Sequence, residues 1–228
     1  MISAYDLFFN PGEVVEIRAI GLSGKNPGWT GFARETVLGY FNNAQDFEKC
    51  AAILDKAGAT GVYYTLNPCN PALLARAANR LKVMKYTTQD KDIVCVRWLP
   101  IDLDPKRPAG ISATDAEVAL AKNMAKLVTA WMETEMGFSK AVRGFSGNGY
   151  HLLYRLPDLP NNAETHDMIV KSVAAIAAKF DNDTVDIDVS VVNPARIWKL
   201  YGTTGRKGDS TTDRPHRKSY IMGVSGDP

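Results

Sequence analysis

Ile93-Val-Cys-Val-Arg-Trp-Leu-Pro-Ile-Asp-Leu-Asp104 is the stretch whose reading sets the fold. Up to Leu103 it is rich in β-branched and large apolar residues, and only Pro100 interrupts it. Such a run predicts a central strand over residues 93–103. Side chains alternate along a strand, so Asp102 and Asp104 share one face while Ile101 and Leu103 point into a core on the other. Two carboxylates on one face repel each other unless a hard cation sits between them, the arrangement that Mg²⁺ and Mn²⁺ sites exploit. Taken alone, an Asp-x-Asp pair at a strand end serves nucleotide-sugar transferases and phosphatases equally well.

Downstream, Thr114 with Glu117 three residues on forms a capping box, which predicts a helix running to about Met136 and ended by Gly137. Residues 141–145 and 150–156 read as two strands joined by Ser146-Gly-Asn-Gly149, a hairpin signal. Residues 163–180 are helical in pattern, and 185–192 and 196–201 read as strands. The order β-α-β-β-α-β across 93–201 predicts a ferredoxin-like, RNA-recognition-type unit. In such a unit the first strand is central and neighbours the third.

Upstream, residues 14–20 and 36–41 read as strands around a Gly/Pro-rich loop at 21–28. Residues 44–56 form an amphipathic helix with Phe47, Cys50, Ala51 and Leu54 inward, 62–66 a strand, and 71–82 a short helix. The expected class is therefore α+β: an N-terminal α/β lobe to about residue 90, fused to a 91–228 lobe with a basic C-terminal segment. A chain of 228 residues suits one elaborate domain of two fused lobes.

Composition narrows the class further. No stretch approaches the roughly 18 uninterrupted apolar residues of a membrane span, so a cytoplasmic chain with no membrane partner is expected. Cys50, Cys69 and Cys95 are far apart and lack a CxxC pair, which predicts buried free thiols rather than disulfides or structural zinc. Net charge is only +2, yet residues 196–218 hold seven Lys/Arg against two acids. A local patch of that kind can hold phosphate, or can simply be a solvated tail. Gly21-Leu-Ser-Gly24-Lys25-Asn26 is not a P-loop, because Ala19 stands for its first glycine and Asn26 for its Ser/Thr.

Two further segments bear on Asp102 and Asp104. Ser146-Gly147-Asn148-Gly149-Tyr150-His151 places glycines, a hydroxyl and an imidazole at a strand junction, where backbone N–H groups and side chains can meet an anion. A tight hairpin with a half-buried histidine accounts for the same residues. Val185-Asp-Ile-Asp188 repeats the pattern of two carboxylates on one face. His166 lies in a polar helix start and is expected to be exposed.

The three segments together resemble the archaeo-eukaryotic primase superfamily, whose pattern is a DxD strand, a Ser/His element and an apolar-Asp strand. The likeness is to the primase-polymerase domains of phage and plasmid replication proteins, where the third segment reads like Asp188-x-x-Val191-x-Asn193-Pro194-Ala195-Arg196-Ile197-x-Lys199-Leu200-x-Gly202-Thr203. Lys207-Gly208 and Arg214-Pro215-His216-Arg217 follow as in those domains, whereas Tyr201 stands where many of them have proline. The resemblance covers roughly residues 93–220 and implies a DNA primase/polymerase. Asp102, Asp104 and Asp188 would be the catalytic ligands of two Mg²⁺ or Mn²⁺ ions, with Asp186 the less favoured alternative to Asp188. Ser146, Gly147, Asn148, His151, Arg196 and Lys199 would bind the NTP or dNTP. Arg206, Lys207, Arg214, His216 and Arg217 would contact a single-stranded or primed DNA template, with a helicase as partner in cis or in trans. A non-catalytic single-strand-binding domain is the remaining alternative.

Overall fold

The computed structural model describes residues 3–22 and 36–224. Most of the loop expected at 21–28, including Gly24-Lys25-Asn26, lies outside the described residues.

Two five-stranded antiparallel sheets form the framework. The first is built from β1 (Val15–Ile20), β2 (Thr36–Phe41), β3 (Gly61–Thr65), β4 (Lys82–Met84) and β9 (Ile197–Lys199), in the order β4-β2-β1-β3-β9. The second holds β5 (Cys95–Pro105), β6 (Val142–Phe145), β7 (Tyr150–Pro160), β8 (Val185–Ile187) and β12 (Tyr220–Val224), in the order β12-β6-β7-β5-β8. Without its edge strand β12, the second sheet has the ferredoxin-like arrangement expected of a β-α-β-β-α-β order, with β5 between β7 and β8. A two-stranded ribbon, β10 (Thr204–Gly205) with β11 (Arg217–Lys218), completes the strands.

Helices α3 (Asp115–Thr134) and α4 (Ala163–Phe180) cover one face of the second sheet. Thr114 and Glu117 cap α3 reciprocally, as the sequence predicts. Met124, Val128, Ile169 and Val173 pack there against Leu99, Ile101, Leu103 and Leu152. The opposite face carries Trp98, Asp102, His151 and Leu153, and part of it packs on the first sheet. Trp98, Val142 and Leu153 share a core with α1 (Ala4–Phe8), α2 (Ala44–Lys56) and the strands of the first sheet. The Phe8 and Trp98 rings meet edge-on at 5.3 Å. The rest of that face is left as a cleft. All three cysteines are free and buried. Among the described residues, no helix is long and apolar enough to cross a membrane.

Three segments depart from the sequence pattern, each for a tertiary reason. The helix expected at 71–82 is only a 3₁₀ turn, Pro71–Arg76, followed by β4. The chain leaves the helical path to pair with β2: the Tyr40 amide donates to the Ala77 carbonyl and the Asn79 amide to that of Tyr40, with Asn79 at φ 50°. The strand expected at 185–192 stops at Ile187, because the Asp188 carboxylate accepts the Ser190 amide and turns the chain. The strand expected at 196–201 does form, as Ile197–Lys199, but it crosses to the first sheet and pairs with β3. The chain thereby passes from the second sheet at β8 to the first at β9.

Candidate active site

Strand register assembles the site. Asp102 lies opposite His151, and His151 lies opposite Gly144. On the other flank, the Asp188 amide donates to the Asp102 carbonyl at 2.9 Å. Directly opposed residues of antiparallel strands project from the same face. A row Gly144–His151–Asp102–Asp188 therefore crosses the sheet on the open face. The next row holds Asp104 opposite Asp186.

A cavity of about 130 Å³ lies between the sheets over these rows. Asp102, Asp104, Ser146, Asn148 and His151 line it from the second sheet, and Thr60, Tyr63, Trp198 and Lys199 from the first, with Lys207 at its rim. A wider groove of about 680 Å³ adjoins it. Asp104 and Lys207 line both spaces, while Lys106, Arg107, Asp186 and Asp188 line the groove.

The carboxylates differ in their surroundings. Partial burial and then the Asp102 charge hold the Asp104 carboxyl above its ordinary value, against the pull of Arg107 and Lys207. Arg107 bonds Asp104 at 3.0 Å and also donates to the carbonyls of Pro105 and Ile111. Asp102 Oδ1 is 3.5 Å from His151 Nε2. Asp186 is turned toward Lys106 at 3.1 Å. Among the described residues, no three His, Cys, Asp or Glu side chains converge closely enough to hold a metal ion. The donor chemistry of Asp102 and Asp104 nevertheless fits a hard divalent cation. These are hard oxygen donors on one face, and the charge of one raises the proton affinity of the other.

On the opposite wall Lys199 is only 6% exposed. Its Nζ donates to Thr203 Oγ1 at 2.9 Å and the Thr204 carbonyl at 3.0 Å, and lies 5.7 Å over the Tyr63 ring. Burial pushes this ammonium down to about 7, Asp55 pulling the other way and Arg206 adding to the fall. The unfolded chain holds that proton up to the usual lysine value near 10.5, so between these values it binds more protons than the folded chain. Stability should therefore rise with pH across that window, with the burial penalty fully present below about 7. Thermal unfolding at pH 6 and pH 9 is expected to show this rise in wild type, and Lys199→Met to lack its share of it. A bound anion would return the proton, so affinity for a phosphate ligand should weaken as pH rises through about 7.

The hairpin turn is built largely for shape. Ser146 Oγ accepts the Gly149 amide at 2.9 Å, Gly147 sits at φ 103°, and Asn148 Oδ1 accepts the Ala113 amide at 2.8 Å. A Cβ at Gly149 would lie 2.3 Å from the Leu103 carbonyl oxygen, so only glycine lets the turn close against the Asp104 strand.

The C-terminal basic residues mostly face inward. Arg206 pairs with Asp55 at 2.8 Å, Arg214 with Glu117 at 2.8 Å and Arg217 with Asp115 at 2.6 Å. Arg196 donates to the Ser190 carbonyl, and His216 Nε2 meets the Gly208 carbonyl at 2.8 Å. None of these five lines the cavity, whereas Lys207 does. His166 is half-buried near the start of α4 rather than exposed. Sequence reasoning missed Thr60, Tyr63, Trp198 and Arg107. The one available signal was Tyr63 on a strand that turns out to pair with Lys199.

No family model matches the chain, and no curated protein matches it in sequence. Among solved structures it is similar to the AEP domain of the cyanophage S-2L primase-polymerase, at 12% identity and a TM-score of 0.53, over 98% of this chain and 88% of that one. Two others are primase RepB′, at 15% identity and TM-score 0.46 over 94% of this chain and 52% of that one, and the polymerase domain of Mycobacterium tuberculosis ligase D in complex with DNA, at 15% identity and TM-score 0.45 over 91% and 74%. The mixed α+β architecture of antiparallel sheets is thus similar in fold to the AEP domain of that phage primase-polymerase.

Proposed function

We propose that this chain is a template-directed nucleotidyltransferase that adds nucleotides to a 3′-hydroxyl, as a DNA primase or polymerase in replication. The observation that carries this reading is chemical: carboxylates Asp102 and Asp104 share one cavity with His151, Lys199 and Lys207. An acidic half suits hard cations and a cationic half suits phosphate oxygens, which is the pairing that a metal-bound nucleoside triphosphate requires.

Asp102 and Asp104 would hold divalent Mg²⁺ or Mn²⁺ in the cavity, and Asp188, which lines the adjoining groove, would have to draw in to join them. Asp188 is preferred to Asp186 because it flanks Asp102, whereas Asp186 is engaged by Lys106. Such cations supply Lewis acidity to the attacking hydroxyl and neutralise phosphate charge. The protein's own groups do the positioning. Lys199 meets the triphosphate from the wall of the first sheet, His151 from the floor and Lys207 from the rim. The Ser146–Gly149 turn fixes where His151 begins. Arg206, Arg214 and Arg217 hold the β10–β11 ribbon to α2 and α3, which places Lys207 over the cavity. A DNA template would run along the groove that shares Asp104 and Lys207 with the cavity.

Incorporation of labelled nucleotides onto a primed single-stranded DNA template, with Mg²⁺ or Mn²⁺, tests the reading. Metal-dependent extension is expected. Turnover of sugar nucleotides or phosphate esters without extension would instead favour the other chemistries open to an Asp-x-Asp pair.

A further inference from the structure

His151 has two ring nitrogens, and which of them carries the proton decides whether it attracts or repels a phosphate oxygen. Nε2 faces Asp102 and the cavity. Nδ1 points the other way, 2.8 Å from the hydroxyl of the buried Tyr201. The position of Tyr201 is made possible by Gly144, the residue opposite His151 in the neighbouring strand. A Cβ there would lie 2.3 Å from the Tyr201 ring, so only glycine lets the phenol approach β6 this closely and reach the imidazole. On its other side the imidazole meets the Trp198 ring at 4.5 Å, and the Trp198 indole N–H donates to the same Tyr201 oxygen at 3.3 Å.

These contacts leave one arrangement of hydrogens. The indole N–H can only donate, so the Tyr201 oxygen accepts it. The phenol keeps its own proton, since burial holds its pKa far above the usual value. Among the described residues, His151 Nδ1 is the one acceptor that proton has. A proton on Nδ1 instead would leave a buried phenolic O–H without a partner.

We infer that Tyr201, supported by Trp198 and seated on Gly144, is a positioning residue that holds His151 as the Nε2–H tautomer, so that an N–H donor faces the phosphates of the bound nucleotide. The ligand named here rests on the nucleotidyl-transfer reading, but the tautomer does not. Tyr201 touches no reacting atom and acts through His151.

Tyr201→Phe keeps the ring on Gly144 and removes only the hydroxyl. In ¹⁵N–¹H correlation spectra of the neutral imidazole in the full chain, wild-type His151 is expected as a single Nε2–H form. Tyr201→Phe should show a mixture of both tautomers. Gly144→Ala, which displaces the phenol from the other side, should show the same mixture. In extension assays Tyr201→Phe should raise KM for the nucleotide about tenfold with kcat nearly unchanged. In a His151→Ala background the same change should add nothing, which a merely structural role would not produce. An Nε2–H form retained in full by both variants would overturn the inference, as would an undiminished effect of Tyr201→Phe in the His151→Ala background. A tautomer shift in a protein that neither binds nor incorporates nucleotides would uphold the relay and overturn the nucleotide as its ligand.

Discussion

Asp104→Ala is expected to abolish metal-dependent primer extension, lowering kcat on the order of a thousandfold or more. The fold should survive the change. Asp104, like Lys207, lines both the cavity and the adjoining groove, so its carboxylate would face both the nucleotide and the primer end. Its charge is not held comfortably by the protein, because burial and Asp102 both raise its proton affinity. Deleting it relieves that repulsion, and Arg107 retains the carbonyls of Pro105 and Ile111 as partners. The melting temperature should therefore move by no more than a few degrees. Extension at the wild-type rate by a folded Asp104→Ala protein would remove this residue from catalysis.

His151→Ala should act differently, lowering kcat/KM by about a hundredfold, mainly through KM for the nucleotide. The ring is 4% exposed and is held by Tyr201 and Trp198, so its loss also leaves a buried hydroxyl unpartnered and an aromatic face unpacked. A stability cost of about 1–3 kcal/mol should accompany the kinetic effect. Steady-state kinetics at saturating primer, with denaturant melts alongside, separate the two. An unchanged kcat/KM would remove His151 from the nucleotide site.

The parts of this molecule legible in the sequence are those governed by local pattern. The 93–104 run reads as a strand because its apolar residues and Asp102/Asp104 alternate, and β5 is that strand with Ile101 and Leu103 in the core. The capping box of α3 and the Ser146–Gly149 turn are local devices, and both form. What was illegible depends on partners distant in sequence. Nothing in Ile197-Trp-Lys199 says that the strand joins the first sheet beside Tyr63 rather than the second. The apolar spacing after Pro71 suits a helix, but the bonds of Ala77 and Asn79 to β2 prevail. The basic count of residues 196–218 suggests an open cationic surface, yet Asp55, Asp115 and Glu117 pair with three of its arginines across more than 95 positions each. Charge counted along a chain cannot show which charges the fold neutralises. Asp102, Asp104, His151 and Lys199 were all nameable because each falls in a separated motif of one resemblance. Tyr201 was visible only as a departure from that resemblance, and its hydroxyl lies 2.8 Å from His151 Nδ1.

A divalent cation and a nucleoside triphosphate are proposed to share the cavity over Asp102, Asp104 and His151. Paramagnetic broadening tests this sharing most directly, since the chain has only three histidines. His166 lies just beyond the far end of β7 from His151, a strand about 30 Å long. With nucleoside triphosphate present, substoichiometric Mn²⁺ should erase the ring signals of His151 and leave those of His166 sharp. Asp104→Ala should abolish the effect. His151 signals that stay sharp while Mn²⁺ and nucleotide bind, or broadening that persists in Asp104→Ala, would contradict it.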